Sequence, residues 1–416
     1  MGLVVLTAIL VSSVFAASGT AVSTSPAEVW NVTWSGSGAY EGLSVATAGD
    51  YVYLAGDIDG VDAFLNKYDS GGNIIWNITW AMSPPSVAYS DVVAMAATAD
   101  SVYMAGMTAS SDNSDSDAFL NRYDSDGNLL WNITYGGSGS FMGYATAATD
   151  DSVYLAGEIL SNDSDYAAFL NRYDTDGNLL WNITWSGHGC YAASAVAASG
   201  DSIYVAGREG HKSFLNKYDT DGNLIWNLTS LGMVVEGIAA GDHVVYSAGA
   251  SFPDAGLNKY GSTDGSLIWN ITDSSMSWGL ATAATGDSVY LAGYNESSDF
   301  DVSTASLTKY NSTDGSFIWN TRWGKAGWVK GHAVAATNDC VYLAGTTENS
   351  SDSNGSAFLV KYSEPTPTPT PAVTPTQSAS PEHSPTTASA AVPGFESISA
   401  TVGLLAVVYL VMLRRK

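Results

Sequence analysis

Four groups of residues in this chain have types and spacings that could do chemistry. The first is Asp174-Thr-Asp176-Gly177, which has the look of a calcium loop. An EF-type loop needs oxygen ligands at positions 1, 3 and 5, glycine at 6 and glutamate at 12. Counted from Asp174, glycine falls at position 4 and Trp185 stands at position 12. An Asp-Gly hairpin turn accounts for these residues better. Calcium could still use the acidic segments 107–117, 159–166, 294–304 and 346–356, but no motif supports it, so no cofactor and no metal site are predicted. The second group is eleven Asn-x-Ser/Thr sequons: Asn31, Asn77, Asn132, Asn162, Asn182, Asn227, Asn270, Asn295, Asn311, Asn349 and Asn354. Six of them sit in a recurring Trp-Asn-x-Thr, where Asn and Thr also suit an outer strand. The loop sequons Asn162, Asn295, Asn349 and Asn354 are therefore the better glycan acceptors, with Asn182 standing for the recurring kind.

The third group is "RWGKAGWVKGH" (322–332), which brings Arg322, Lys325 and Lys330 beside Trp323, Trp328 and His332. Cations next to indoles on an acidic body suit a carboxylated glycan or an acidic partner. The alternative is a seam loop whose tryptophans pack between repeat units. The fourth group is Glu41, Asp91, Tyr144, Glu236 and again His332, which stand near the start of a recurring strand and differ from repeat to repeat. Converging carboxylates and a histidine at one mouth are what a hydrolase or lyase would need. His188, His211 and His243 have no metal-ligand spacing, and Cys190 and Cys340 lie far apart with no CxxC, so they read as unpaired thiols.

Composition narrows the elements that position these groups. The 416 residues include 42 Gly, 13 Trp and 23 Tyr, and are 45% hydrophobic but only 13% charged. That mixture suits many short strands and tight turns around a large core. The formal net charge is −26, and three of the 15 Lys/Arg are the terminal Arg414-Arg415-Lys416. So acidic a body repels phosphate backbones, and nucleic acid is not an expected partner.

A repeat dominates the chain. "[VI]Y[LMV]AG" or a close variant occurs seven times, from Tyr53 to Tyr342, and Trp-Asn occurs seven times, from Trp30 to Trp319. The 289 residues between those tryptophans make six intervals of about 48, the period of a four-stranded propeller blade. In residues 143–185 the unit divides into "GYATAATD", "SVYLAGE", "AAFLNRYD" and "NLLWNITW", which predict strands a, b, c and d. Seven residues before each marker tyrosine stands an alanine (Ala46 to Ala335), as a crowded innermost strand requires, while tryptophan fills the widening wedge on strand d. "AEVWNVTW" (27–34) is an isolated strand d, and the last unit stops after strand c, "SAFLVKY" (356–362). The N-terminal outer strand is thus expected to complete the last blade, giving a closed all-β, seven-bladed β-propeller of four-stranded antiparallel blades over 27–362. The d–a and b–c connections share one face; the b–c loops vary most, which places function there.

Two resemblances follow from these strings. "SVYLAG" (152–157) with "AFLNRYDTDGNLLWNITW" (168–185) resembles the SBBP repeat of secreted prokaryotic proteins, and "KYGSTDGSLIWN" (259–270) resembles the tryptophan-docking repeat of pyrroloquinoline-quinone (PQQ)-type propellers. Both imply the same fold. Quinoprotein catalysis, as implied by the second, calls for a vicinal cysteine pair, which this chain lacks.

The ends predict export. Residues 3–16 are an apolar run with Val14 and Ala16 placed like the −3 and −1 positions of a cleavage site, so 1–17 read as a signal peptide, with a retained anchor as the alternative. Residues 363–392 are rich in Pro, Thr and Ser and read as a disordered stalk. At ~3.1 Å per residue its last 29 residues reach roughly 90 Å. Then come Pro393-Gly394-Phe395, an apolar run over 398–413 and the basic tip. Sixteen helical residues span about 24 Å, short for a ~30 Å hydrocarbon core. This order resembles the PGF-CTERM sorting signal of archaeal surface proteins (393–416). The resemblance implies that the helix is removed and replaced by a lipid anchor; otherwise it stays as a membrane helix. The expectation is a cell-surface propeller that binds an envelope glycan or surface proteins, as an adhesion, S-layer or structural module. The alternative is a polysaccharide-acting hydrolase or lyase with its site at the propeller funnel.

Overall fold

The computed structural model describes residues 25–364 apart from 61, 82–86, 111–114, 162–165, 188–189, 298–301, 325–326 and 350–351. The signal segment, the stalk beyond Glu364, Pro393-Gly394-Phe395, Asn162 and Lys325 lie outside the described residues, as do the side chains of Asp91, Asn349 and Asn354.

The described strands form seven four-stranded antiparallel sheets. Their first strands, in blade order, are Tyr40–Ala48, Val87–Ala97, Ser140–Ala148, Tyr191–Ser199, Val234–Gly241, Trp278–Ala284 and Trp328–Ala336. Blade 3 shows the unit: strand a (Ser140–Ala148), b (Ser152–Leu160), c (Tyr166–Asp174) and d (Leu179–Ser186), hydrogen-bonded in that order. Strand b is apolar on both faces because both are buried between blades; Val153, Leu155 and Ala156 are fully inaccessible. Strand d alternates, with Trp181, Ile183 and Trp185 half-buried and Asn182 and Thr184 exposed. The alanine placed on the innermost strand lies directly opposite the marker tyrosine, as in Ala147 against Tyr154.

The c–d connection is a turn held by its own aspartate. The Asp174 carboxylate accepts the backbone N–H of Asp176 (3.0 Å) and Asn178 (2.8 Å) and the Asn178 amide (2.9 Å), and Gly177 supplies φ +89°. The Asn178 side-chain bond, followed by the backbone bonds, holds the carboxyl below its usual pKa. These oxygens are committed to folding the chain back, which answers the question the Asp-Gly string raised.

Neighbouring blades are riveted through that turn. In blade 3 the Trp181 indole N–H (2.8 Å) and Arg172 Nη1 (2.5 Å) both donate to the Thr220 carbonyl in the next blade's c–d turn. Trp226 and Lys217 share Ser262 O at 3.0 and 2.7 Å, and Trp30 and Lys361 share Ser70 O at 3.0 and 2.8 Å. The conspicuous Lys/Arg and Trp of the repeat are therefore inter-blade fasteners.

Ala27–Trp34 pairs antiparallel with Asp352–Ser363 and completes blade 7 as its outer strand, closing the ring as expected. Closure leaves blade 7 without a covalent c–d turn, so blade 6 lacks the usual acceptor. Glu364 takes its place, accepting from Lys309 Nζ and the Tyr290 hydroxyl, both at 2.5 Å, while the Trp319 indole N–H stays buried without a partner.

Candidate functional site at the axial funnel

Each of the seven inner strands carries a β-bulge at the same place. The ladder skips one residue between Gly42/Ser44, Val92/Ala94, Gly143/Ala145, Ala193/Ala195, Val235/Gly237, Gly279/Ala281 and Gly331/Ala333. The extra residues are Leu43, Val93, Tyr144, Ser194, Glu236, Leu280 and His332. A bulge re-aims the inserted side chain away from the pleat. The bulged strand pushes a carbonyl onto strand b, and this explains the glycine of "VYLAG". A Cβ on Gly157 would lie 1.9 Å from Met142 O, and at Gly56 1.7 Å from Glu41 O. Only glycine admits the approach.

Six bulge residues line one cavity of about 470 Å³: Leu43, Tyr144, Ser194, Glu236, Leu280 and His332, joined by Arg208 from strand b of blade 4. The inner strands of six blades thus converge there, at the propeller axis. Arg208 follows the strand-b glycine Gly207, and that position, like the bulge, varies among blades: Asp57, Met107, Glu158, Arg208, Ala250, Tyr294 and Thr346. Burial pushes the Glu236 and Glu158 carboxyls up, and the Arg208 charge opposes both shifts. Burial, reinforced by Lys330, pulls the His332 imidazole down to about 4, so it is neutral at neutral pH.

His332 also lines a smaller cavity of about 60 Å³ with Glu41, Trp328, Lys330, Thr346 and Glu348. From there aromatic contacts lead outward across blades 7, 6 and 5. Lys330 Nζ lies over the Trp328 and Tyr294 rings at 5.5 and 5.3 Å. Tyr294 stacks on Trp278 (6.4 Å, 15°), and Trp278 meets the exposed Phe252 edge-on at 4.9 Å.

The residues singled out in the sequence fall into distinct places. Tyr144, Glu236 and His332 are bulge residues and share the funnel. Glu41 stands one residue before strand-a Gly42 and lines the smaller cavity; Asp91 holds the equivalent register in blade 2, opposite Met107. The 322–332 cluster divides. Trp323 stacks on Phe358 of blade 7 (4.1 Å, 29°), and Arg322 Nη2 donates to Ser275 O at 3.2 Å, so this half packs the seam. Trp328, Lys330 and His332 line the smaller cavity together, and His332 alone of the three also lines the funnel. Asn182 is exposed, whereas Asn295 is half-buried, its Oδ1 accepting from the Ser277 hydroxyl at 2.9 Å. Sequence reasoning missed Arg208, Ser194, Leu43, Leu280, Glu158 and Tyr294. The available signal was the one non-repeating residue after the repeated Ala-Gly.

With this geometry, comparison with known proteins is informative. A sequence profile described as outer membrane protein assembly factor BamB, of the PQQ-like type, matches residues 167–326. The WD40 β-propeller domain of Doa1 superposes with a TM-score of 0.53 at 10% identity, over 82% of this chain and 98% of that one. Kuenenia stuttgartiensis hydrazine synthase gives 0.51 at 10% identity, over 76% and 94%. At this identity the likeness shows the fold alone. No curated protein matches the chain in sequence. The chain is a seven-bladed β-propeller, similar over 167–326 to the PQQ-like BamB family. The PGF-CTERM motif matches residues 392–415 and indicates a cell-surface protein anchored at its C terminus.

Proposed function

We propose that this propeller is an outward-facing binding module of the cell envelope, and that its ligand is a saccharide whose end enters the axial funnel. The observation that carries this reading is the bulge ring. Six blades of one scaffold place Leu43, Tyr144, Ser194, Glu236, Leu280 and His332 around one cavity, and its volume falls within the roughly 300–1,000 Å³ of small-ligand sites. The chemistry favours a neutral polyhydroxylated ligand. Arg208 faces Glu158 and Glu236, and Lys330 shares its cavity with Glu41 and Glu348, so donors and acceptors alternate without a net field for a free anion. Tyr144 in the funnel, and the half-buried Trp328 and exposed Phe252 outside it, offer aromatic rings to sugar C–H surfaces.

The test is a screen of envelope saccharides against the ectodomain, alongside Arg208→Ala, Glu236→Gln and Tyr144→Ala. Each variant should lose at least tenfold in affinity, as removing a charged or stacking partner costs about 1.5–3 kcal/mol. Binding by all three at the parental affinity would remove the funnel as the site. A second reading, catalysis, rests on Glu236 and His332 sharing the funnel with opposed pKa shifts. Cleavage of the bound saccharide that is lost in Glu236→Gln, with binding intact, would favour it.

A further inference from the structure

We propose that the outer strands carry a belt of N-linked glycans at Asn31, Asn77, Asn132, Asn182, Asn227 and Asn270. The inference rests on the outward placement proposed above and concerns the opposite, peripheral side of the blades.

Each of these asparagines lies on an outer strand d, and each is exposed together with the threonine two residues on. Residues i and i+2 of a strand share a face, so amide and hydroxyl of the sequon point to solvent together. Five of the six amides make no hydrogen bond within the protein among the described residues; Asn31 Nδ2 donates to the exposed Glu28 at 2.6 Å. The other described sequons differ. Asn295 and Asn311, at the ends of strands b and c, are half-buried, and each side chain is oriented through its Oδ1, which accepts from the Ser277 hydroxyl (2.9 Å) and the Thr313 N–H (2.7 Å) respectively.

Blade 6 supplies an internal control. Its strand d reads Trp319-Asn320-Thr321-Arg322, the one outer strand without the sequon. It is also the one where protein covers the Asn face. The preceding d–a connection folds onto it, and Asn320 Nδ2 donates to Thr308 Oγ1 (2.9 Å) and Ser275 Oγ (3.3 Å). Where the face is open the acceptor is present; where it is occupied the acceptor is absent. A purely structural preference for Asn and Thr on outer strands does not produce that pattern.

A physical reason for covering these strands is also present. Every strand d is a sheet edge, and such edges invite pairing with other chains. Two residues before the acceptor, on the same face, stand half-exposed aliphatics such as Leu130 (49%), Leu180 (49%) and Ile225 (50%). A glycan at the neighbouring asparagine screens both the aliphatic and the edge.

The experiment uses the protein shaved by protease from intact cells of its native host, with glycopeptide mass spectrometry covering all described sequons. The expected result is glycan mass on at least four of the six outer-strand asparagines, and loss of one glycan from Asn132 in Thr134→Ala, which keeps the asparagine itself. Released protein that is bare at these sites, or modified only at Asn295 and Asn311, would overturn the belt while leaving surface placement intact. Protein retained inside the cell and unmodified would overturn both.

Discussion

At the scale of single residues, the informative side chains are those the repeat does not repeat. His332 is the sharpest case. Its imidazole ordinarily titrates near 6.5 and in the folded protein near 4. Between those values the unfolded chain binds the proton more tightly. The contribution of the neutral imidazole is therefore complete above about pH 6.5 and is lost as pH falls toward 4, by up to about 3 kcal/mol. Thermal unfolding of the parent and of His332→Gln at pH 7 and pH 4.5 isolates this from the many carboxylates: the parent should lose more stability on acidification. An equal loss in both would show that His332 keeps an ordinary pKa. Arg208 makes the complementary point. In the sequence it looks like one more cation in an acidic chain, and only the converging strands bring it against Glu158 and Glu236.

At the scale of strands and turns, most of the structure was legible. The Trp-Asn and Tyr-x-Ala-Gly strings mark strands d and b because a blade needs a large residue at its rim and a continuous apolar run at its centre. The bulge was not legible. An inserted residue leaves the local alternation plausible on both sides, so Glu41 and Asp91 were grouped with Tyr144, Glu236 and His332 although they occupy a different register. The rivets offer a test at this scale. Trp131→Phe removes an indole bond to Thr175 O (2.9 Å) and should cost about 1 kcal/mol in denaturant unfolding. Trp319→Phe removes a buried donor that has no acceptor, so the relief of that donor offsets part of the cost of the ring volume lost, and the change should cost less than at Trp131. The same cost for both would mean that indole bonding is not what holds the blades.

At the scale of the whole molecule, ring closure was readable because strand d comes first and strand c last. Its consequence for stability is testable. A protein lacking residues 25–34 leaves Asp352–Ser363 as an open edge and uncovers the seam cluster that packs on Trp30, Val32 and Trp34. It should self-associate in size-exclusion chromatography and recover its monomeric size when a peptide spanning Ala27–Trp34 is added in trans. Failure of the peptide to restore the monomer would show that closure needs the covalent chain.

The same arrangement has a mechanical meaning. Asp352–Ser363 is the last strand before the chain leaves the propeller, yet it lies inside its sheet, between Cys340–Asn349 and Ala27–Trp34. Its hydrogen bonds run perpendicular to the strand. A pull on the chain beyond Glu364 draws the strand along its own length and loads both ladders in shear, so many bonds must yield together. An edge strand in its place would be held by one ladder instead of two. Borrowing the outer strand from the N terminus converts the end of a ring into a grip that holds against traction.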